Sequence, residues 1–395
     1  MTTAVHSSQP VTAILGETSD SRTPPGPAIH GGAFGAAASS ARNSRLTHPQ
    51  KILIVRLSAL GDLVFATSLL DGLLAAFPQA QVQWLVQPEF AGLLKSQPRI
   101  AKVHLWERKR WGELFRGFRW LALFGLLRGF SQALRQEDFD WVIDAQGLAK
   151  SRLLAWLAGG RRRIGYASKE PLGFLLHDLV ARPADVPPFT DKPIAGEHRA
   201  LVQTLTGHYG PPPRLTRPVQ VAAIAGVVAI APFTTRPQKH WPEAHWGQLI
   251  KLLIADGHRL VMLGGPADKP AAERIVALAG APATLINQVG KTNMAEAAAQ
   301  MADAVAVVGV DTGLTHMGIA FEKPTVAIFG STVPYRAGGI APLNVLWLGL
   351  PCSPCHRKPT CGGAFQCLSD IGPERVSASL RTLLLEARLP SSLRK

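Results

Sequence analysis

No stretch of this 395-residue chain reads as a membrane span: its longest charge-free segments, near 218–235 and 337–356, are broken by Gly and Pro. Residues 1–47 carry no apolar core behind a basic start, so no secretory signal is expected. They are rich in Ser, Thr, Pro, Gly and Ala and are expected to form a disordered tail. Cysteine is scarce, with four residues all between Cys352 and Cys367, which excludes a disulfide framework for the whole chain. The dinucleotide spacing G-x-G-x-x-G is missing after every strand-like run, and the "RLSALGD" loop has no Walker lysine. A nicotinamide oxidoreductase is therefore disfavoured. Acids are also in deficit: 27 Asp and Glu against 42 Lys and Arg give a net charge of +15. That sign favours anionic partners, whether nucleic acid, an anionic membrane surface or a phosphorylated small molecule. No nucleic-acid motif accompanies the charge, so nucleic acid is not an expected partner. Hydrophobic content of 47% with 17% charged residues is that of a folded enzyme.

From Lys51 onward, apolar runs alternate with amphipathic stretches. "KILIVRL", "QVQWLVQ" and "DWVIDAQG" each precede a helical pattern. After the Pro-rich segment 208–218 the alternation restarts with "VVAIAPF", "RLVMLGG", "AVAVVGV" and "PTVAIFG". Strand runs without polar alternation predict strands buried on both faces, hence parallel sheets covered by helices. The expected fold class is α/β, with two Rossmann-like doubly wound domains facing a central cleft. The expected boundaries are 48–207 for the first domain, 208–218 for the linker and 219–395 for the second, which includes the Cys-rich segment 352–367.

Ligands of such sheets bind beyond the carboxyl ends of the strands, so the loops there carry the functional reading. In "RLSALGD", Asp62 lies where loop turns to helix and reads either as an N-cap or as a general base aimed into the cleft. Gly61 permits a close backbone approach. In "APFTTRPQKHW", Thr234, Thr235, Arg236 and Lys239 suit phosphate oxygens; a solvated turn over a Trp241–Trp246 staple is the alternative. In "VVGVDTGLTHM", Asp311, Thr312 and Gly313 precede a helix, a ready anion site, with His316 one turn inside. Asp311 is the odd member among anion donors and reads as orienting Thr312 or contacting a sugar hydroxyl. Asp268, in "LGGPADK", could accept from ribose hydroxyls, although the same residues make an ordinary turn.

Between Ala101 and Arg135, basic residues including Arg108, Lys109 and Arg110 interleave with Trp106, Trp111, Phe115, Phe118, Trp120, Phe124 and Phe130. This composition reads as an interfacial surface for anionic lipid, or as a solvated helix face. Cys352, Cys355, Cys361 and Cys367 are separated by two, five and five residues. One C-x-x-C knuckle with two further thiols fits a closed structural site for zinc or a single iron; a reducible pair or plain structural thiols are the alternatives.

"RLSALGD", "DAQGLAKS", "TTRPQKHWPEAHW" and "VDTGLTHM", in that order and spacing, resemble glycosyltransferase family 9, and within it the enzymes that add the first heptose to Kdo of the lipopolysaccharide inner core. The resemblance covers roughly residues 51–380. It implies a GT-B architecture without a catalytic metal, an ADP-heptose donor, a Kdo–lipid A acceptor and a place at the cytoplasmic face of the inner membrane. It puts the catalytic carboxylate on Asp62. The donor diphosphate falls to Thr234, Thr235 and Lys239 with Thr312, Gly313 and Leu314, the heptose to Asp311, the loop histidine to His316 and the ribose to Asp268. By analogy Arg108, Lys109, Arg110 and Lys150 grip the anionic acceptor, which Gly61 also faces. The N-terminal tail and the four-cysteine segment stand outside this pattern. They leave open a heptosyltransferase acting on another acceptor: a second-heptose site, another glycan or a protein. A two-domain binding protein of the periplasmic type is disfavoured by the cationic cleft loops.

Overall fold

The computed structural model describes residues 45–182, 194–335, 341–355 and 358–388. Most of the expected N-terminal tail lies outside the described residues; its last residues, Arg45 to Thr47, form a helical turn. That turn is held to the body by Trp141 Nε1 donating to Leu46 O at 2.9 Å and by Arg45 pairing with Asp140 at 2.6 Å.

Among the described residues, twelve strands form two six-stranded sheets. The first contains β1 (Lys51–Val55), β2 (Gln81–Val86), β3 (Lys102–Leu105), β4 (Trp141–Asp144), β5 (Arg162–Tyr166) and β6 (Asp178–Val180), in the order β3-β2-β1-β4-β5-β6. The second contains β7 (Val227–Ala231), β8 (Arg259–Met262), β9 (Leu285–Asn287), β10 (Ala306–Val310), β11 (Thr325–Ile328) and β12 (Leu343–Leu346), in the order β12-β11-β10-β7-β8-β9. Every pairing is parallel. Read from opposite edges, the two orders are the same doubly wound pattern, the α/β fold expected from the sequence.

The apolar runs explain this arrangement. Successive residues of a strand point to opposite faces, so Ile52 and Ile54 enter one core while Leu53 and Val55 enter another. Val228 and Ile230 likewise face one core of the second sheet, and Val227, Ala229 and Ala231 the other.

In each sheet the chain reverses direction at one point, between β1 and β4 and between β7 and β10. Crevices in this fold open there. The four motifs singled out above follow those four strands. The two switch points meet through a pair of helix N-termini, Leu60–Ala76 and Gly313–Ala320. A Cβ at Gly61 would lie 2.6 Å from His316 Cδ2, and one at Gly313 would lie 2.6 Å from Leu60 Cβ. Only glycine at both positions lets the helices approach this closely. The Pro-rich segment 208–218 is laced to both halves. Gln97 brackets Thr216, accepting from its N–H at 2.7 Å and donating to its carbonyl at 3.0 Å. Arg214 N donates to Thr67 Oγ1 at 3.2 Å and Leu215 N to Ala320 O at 2.9 Å.

Candidate functional site

The loops after β1 and β4 are tied together across the first switch point. Leu57 N donates to Gln146 Oε1 at 3.0 Å, and Arg56 Nη1 donates to Ala145 O at 2.7 Å. The other arm of the same guanidinium, Nη2, pairs with Asp62 Oδ2 at 2.5 Å. Arg56 is only 12% exposed, whereas the carboxylate it holds is 50% exposed. Asp62 therefore faces solvent from a fixed support. Asp62 is not the N-cap, one of the two roles expected for it. The helix begins at Leu60 with Ala59 as the cap, and Asp62 sits at the third helical position, with Oδ2 accepting from Ala59 N at 3.4 Å. Ala59 is extended and the helical turn opens at Leu60, so Asp62 comes too late in the chain to stand at the N-cap. Both contacts of Asp62 engage Oδ2, so Oδ1 takes part in neither. Beside this loop, Asp144 Oδ1 accepts from Gln146 and Gly147 N, each at 3.0 Å, shaping the "DAQG" turn, while burial raises its carboxyl above the usual range.

Across the cleft, Asp311 is the centre of a buried network. Lys239 Nζ lies 2.5 Å from Oδ2, Thr332 Oγ1 donates to Oδ2 at 2.6 Å, and His316 Nε2 lies 3.1 Å from Oδ1. Burial alone would raise this carboxyl. The His316 and Lys239 contacts override it and hold Asp311 well below the usual carboxylate range. A carboxylate only accepts, so His316 Nε2 donates to Asp311, and Nδ1 lies 2.6 Å from the Tyr335 hydroxyl. Burial, reinforced by the charge of Asp311, pushes the Tyr335 phenol well above its ordinary value. Phe65 of the first half closes the assembly, its ring centroid 4.6 Å from that of His316.

This network adjoins the anion site expected from the sequence. Thr312 caps the Gly313–Ala320 helix in an extended conformation, so the amides of Gly313 and Leu314 have no intrahelical acceptor. Thr234 is half-buried and Thr235 exposed beyond β7, and Lys239 ends a short 3₁₀ turn, Pro237–Lys239. Trp241 and Trp246 stack edge to face beneath this loop at 5.0 Å. Lys239 thus joins the loop beyond β7 to the loop beyond β10 through Asp311. Asp268, half-buried beyond the neighbouring β8, caps its own turn by accepting from Gly265 N at 2.8 Å.

The four cations expected on the acceptor side divide into two groups. Lys109 lies 3.8 Å from Glu89, and Arg110 lies 3.2 Å from Glu107. Lys150, 6.0 Å from the Trp106 ring centroid, faces Arg108 instead; burial and then the Arg108 charge lower its ammonium below the ordinary value.

The cysteines are all free thiols, Cys352 exposed, Cys355 and Cys361 half-buried and Cys367 buried. They lie within one another's fields, and burial followed by these neighbours pushes Cys367 up to about 11. Among the described residues no three His, Cys, Asp or Glu side chains are grouped to hold a metal ion.

Sequence reasoning missed Arg56, Thr332 and Tyr335. Arg56 opens the "RLSALGD" motif and Thr332 follows a strand end next to β10, so position along the sheet was the available signal.

Residues 127–364 match the sequence pattern of glycosyltransferase family 9 (heptosyltransferase). The chain is 31% identical to lipopolysaccharide heptosyltransferase 1 of Pseudomonas aeruginosa over 389 residues, covering 87% of this chain and 100% of that protein. It is 26% identical to lipopolysaccharide heptosyltransferase 2 of Salmonella typhimurium, covering 85% of this chain and 99% of that one. Its fold matches that of the Escherichia coli heptosyltransferase WaaC with ADP-2-deoxy-2-fluoro heptose, with a TM-score of 0.66, 24% identity, and coverage of 84% and 99% of the two chains.

Proposed function

Because the chain belongs to glycosyltransferase family 9 and is a homologue of the lipopolysaccharide heptosyltransferases, we propose that it moves heptose from ADP-heptose to Kdo of lipid A, with inversion at the anomeric carbon. The observation that carries this reading is the meeting of the two switch points at Gly61 and His316. A half-exposed carboxylate, held by Arg56, stands on one lip of the cleft. Lys239 and the N-terminus of the Gly313–Ala320 helix stand on the other.

In the proposed reaction, the acceptor hydroxyl gives its proton to Asp62 as its oxygen attacks the anomeric carbon. The bond from that carbon to the phosphate oxygen breaks on the opposite face, and its electron pair leaves with ADP. Lys239, Thr234, Thr235 and the amides of Gly313 and Leu314 stabilise the charge that collects on the diphosphate. Lys239 reaches the diphosphate by leaving or sharing Asp311, which frees a carboxylate oxygen for a heptose hydroxyl. Asp268 reads the ribose. On the acceptor side, Arg108 and Lys150 take an anionic group, and that contact relieves their mutual repulsion.

The similarity to a heptosyltransferase 2 over nearly its full length keeps a second acceptor in view, a core that already carries one heptose. Product mass analysis separates the two. ADP-heptose is offered with Kdo₂–lipid A and, separately, with its monoheptosylated product. Addition of one heptose to Kdo₂–lipid A supports the first reading. Addition only to the heptosylated acceptor supports the second.

A further inference from the structure

The helices Arg108–Arg116 and Trp120–Arg135 form a hairpin whose base is fixed to the first half. Trp111 sits edge-on to both Trp106 and Phe130, with ring centroids 6.0 and 5.1 Å away. Ser131 Oγ donates to Leu157 O at 2.7 Å, and Leu134 is buried. The tip is different. Phe115, Phe118, Trp120, Leu121 and Phe124 are all exposed, Leu121 to 91%. The Phe115 and Phe118 rings lie edge-on to Trp120 at 5.2 and 6.2 Å, so the tip is one preformed apolar cluster. Phe118 also has a left-handed backbone, φ 53°, where a bulky side chain carries a conformational cost that Gly avoids. At 76% exposure, packing within the chain does not account for an aromatic residue there.

The charge around this cluster decides its partner. Arg110, Arg116, Arg119 and Arg128 are exposed on the hairpin, against Glu113. Burying the cluster against a second copy of the chain would bring like charges together, whereas an anionic surface neutralises them. Arg residues beside exposed Trp, Phe and Leu are the pattern of an element lying in a lipid interface. No described helix is long and apolar enough to cross a membrane.

We propose that the Phe115–Phe124 tip docks on an anionic phospholipid bilayer, with its aromatic cluster at the headgroup–acyl boundary and Arg116, Arg119 and Arg128 on lipid phosphates. The hairpin starts at Arg108, beside Lys150, so docking brings the acceptor side of the cleft to the lipid surface. The inference does not depend on which acceptor is used.

The test is sedimentation of the full chain with phosphatidylcholine vesicles, with and without phosphatidylglycerol. The wild type is expected to partition onto the anionic vesicles and not onto the neutral ones, and to be partly released by salt. Phe118→Ser with Leu121→Ser should lower partitioning by about tenfold or more, as should Arg116→Glu with Arg119→Glu. Both variants should keep the wild-type melting temperature and the rate of transfer to a water-soluble, deacylated acceptor. Failure of the wild type to bind anionic vesicles overturns the proposal. So does wild-type binding by either variant, or a tip substitution that converts a dimer to a monomer. If the wild type binds vesicles but transfers nothing to the soluble acceptor, the enzymatic reading fails and the docking reading stands.

Discussion

Gly61→Ala is the smallest change that probes the meeting of the two halves. The added methyl would lie 2.6 Å from His316 Cδ2 and 3.3 Å from Nε2, where ordinary contact begins near 3.4 Å. The ring cannot retreat easily. Tyr335 holds one nitrogen at 2.6 Å, Asp311 holds the other at 3.1 Å, and Phe65 lies against it. Two effects compete. Alanine favours helix over glycine by about 0.5–1 kcal/mol, while overpacking a fixed contact costs about 1–3 kcal/mol. The second should win, for a net loss of about 1–2 kcal/mol. If instead the halves separate, Asp62 moves with its helix, and a displacement near 1 Å at a reacting group can cost about a hundredfold in rate. Thermal unfolding and steady-state kinetics read the two outcomes, and the expectation is a lower melting temperature with kcat down at least about tenfold. Removing the ring in a Gly61→Ala/His316→Ala double variant should show coupling, with the pair losing less stability than the two changes added together, by about 1 kcal/mol. A Gly61→Ala protein as stable and active as the wild type, or strict additivity, would refute the reasoning.

Lys239→Ala should raise the dissociation constant for ADP by about 10- to 100-fold, the worth of one charge-assisted contact, as read by calorimetry; unchanged affinity would remove Lys239 from the diphosphate site. His198 gives a pH prediction. Buried and 3.0 Å from the Tyr166 hydroxyl, it is held near 3 by burial and then by the charges of Arg56 and Arg182, against an ordinary 6.5. The folded state keeps this ring neutral while the unfolded chain protonates it. Its contribution is therefore full above about pH 6.5 and declines as pH falls toward 3. His198→Gln, which keeps a polar partner for Tyr166, should flatten that decline in denaturant melts taken across the window; an unchanged pH profile would assign the acid sensitivity elsewhere.

The fold was legible because the parallel strands are buried on both faces, so runs such as Val227–Ala231 and Ala306–Val310 stand out without alternation. Much of the candidate site could be marked out for a related reason. Strand ends are where backbone must turn sharply, and Gly61, Asp62, Asp311 and Gly313 mark those turns in one dimension. The rest depends on contacts between distant segments. Arg56 matters through Ala145, which lies 89 positions away, and Tyr335 through His316. The expected Arg108–Lys109–Arg110 cluster looked uniform in sequence, yet Glu89 and Glu107 lie beside two of its members, and Arg108 with Lys150 is the pair left facing each other. No spacing rule announces which acid a surface cation will find.

The central claim is that Asp62 takes the acceptor proton in a heptosyl transfer. Its most direct measurement is transfer from ADP-heptose to Kdo₂–lipid A by Asp62→Asn, with ADP affinity determined on the same protein. Asn keeps the size and loses the base. The account predicts kcat lower by about 10²–10⁴-fold with ADP binding unchanged. Turnover within a few fold of the wild type, or a loss carried by weaker ADP binding, would contradict it.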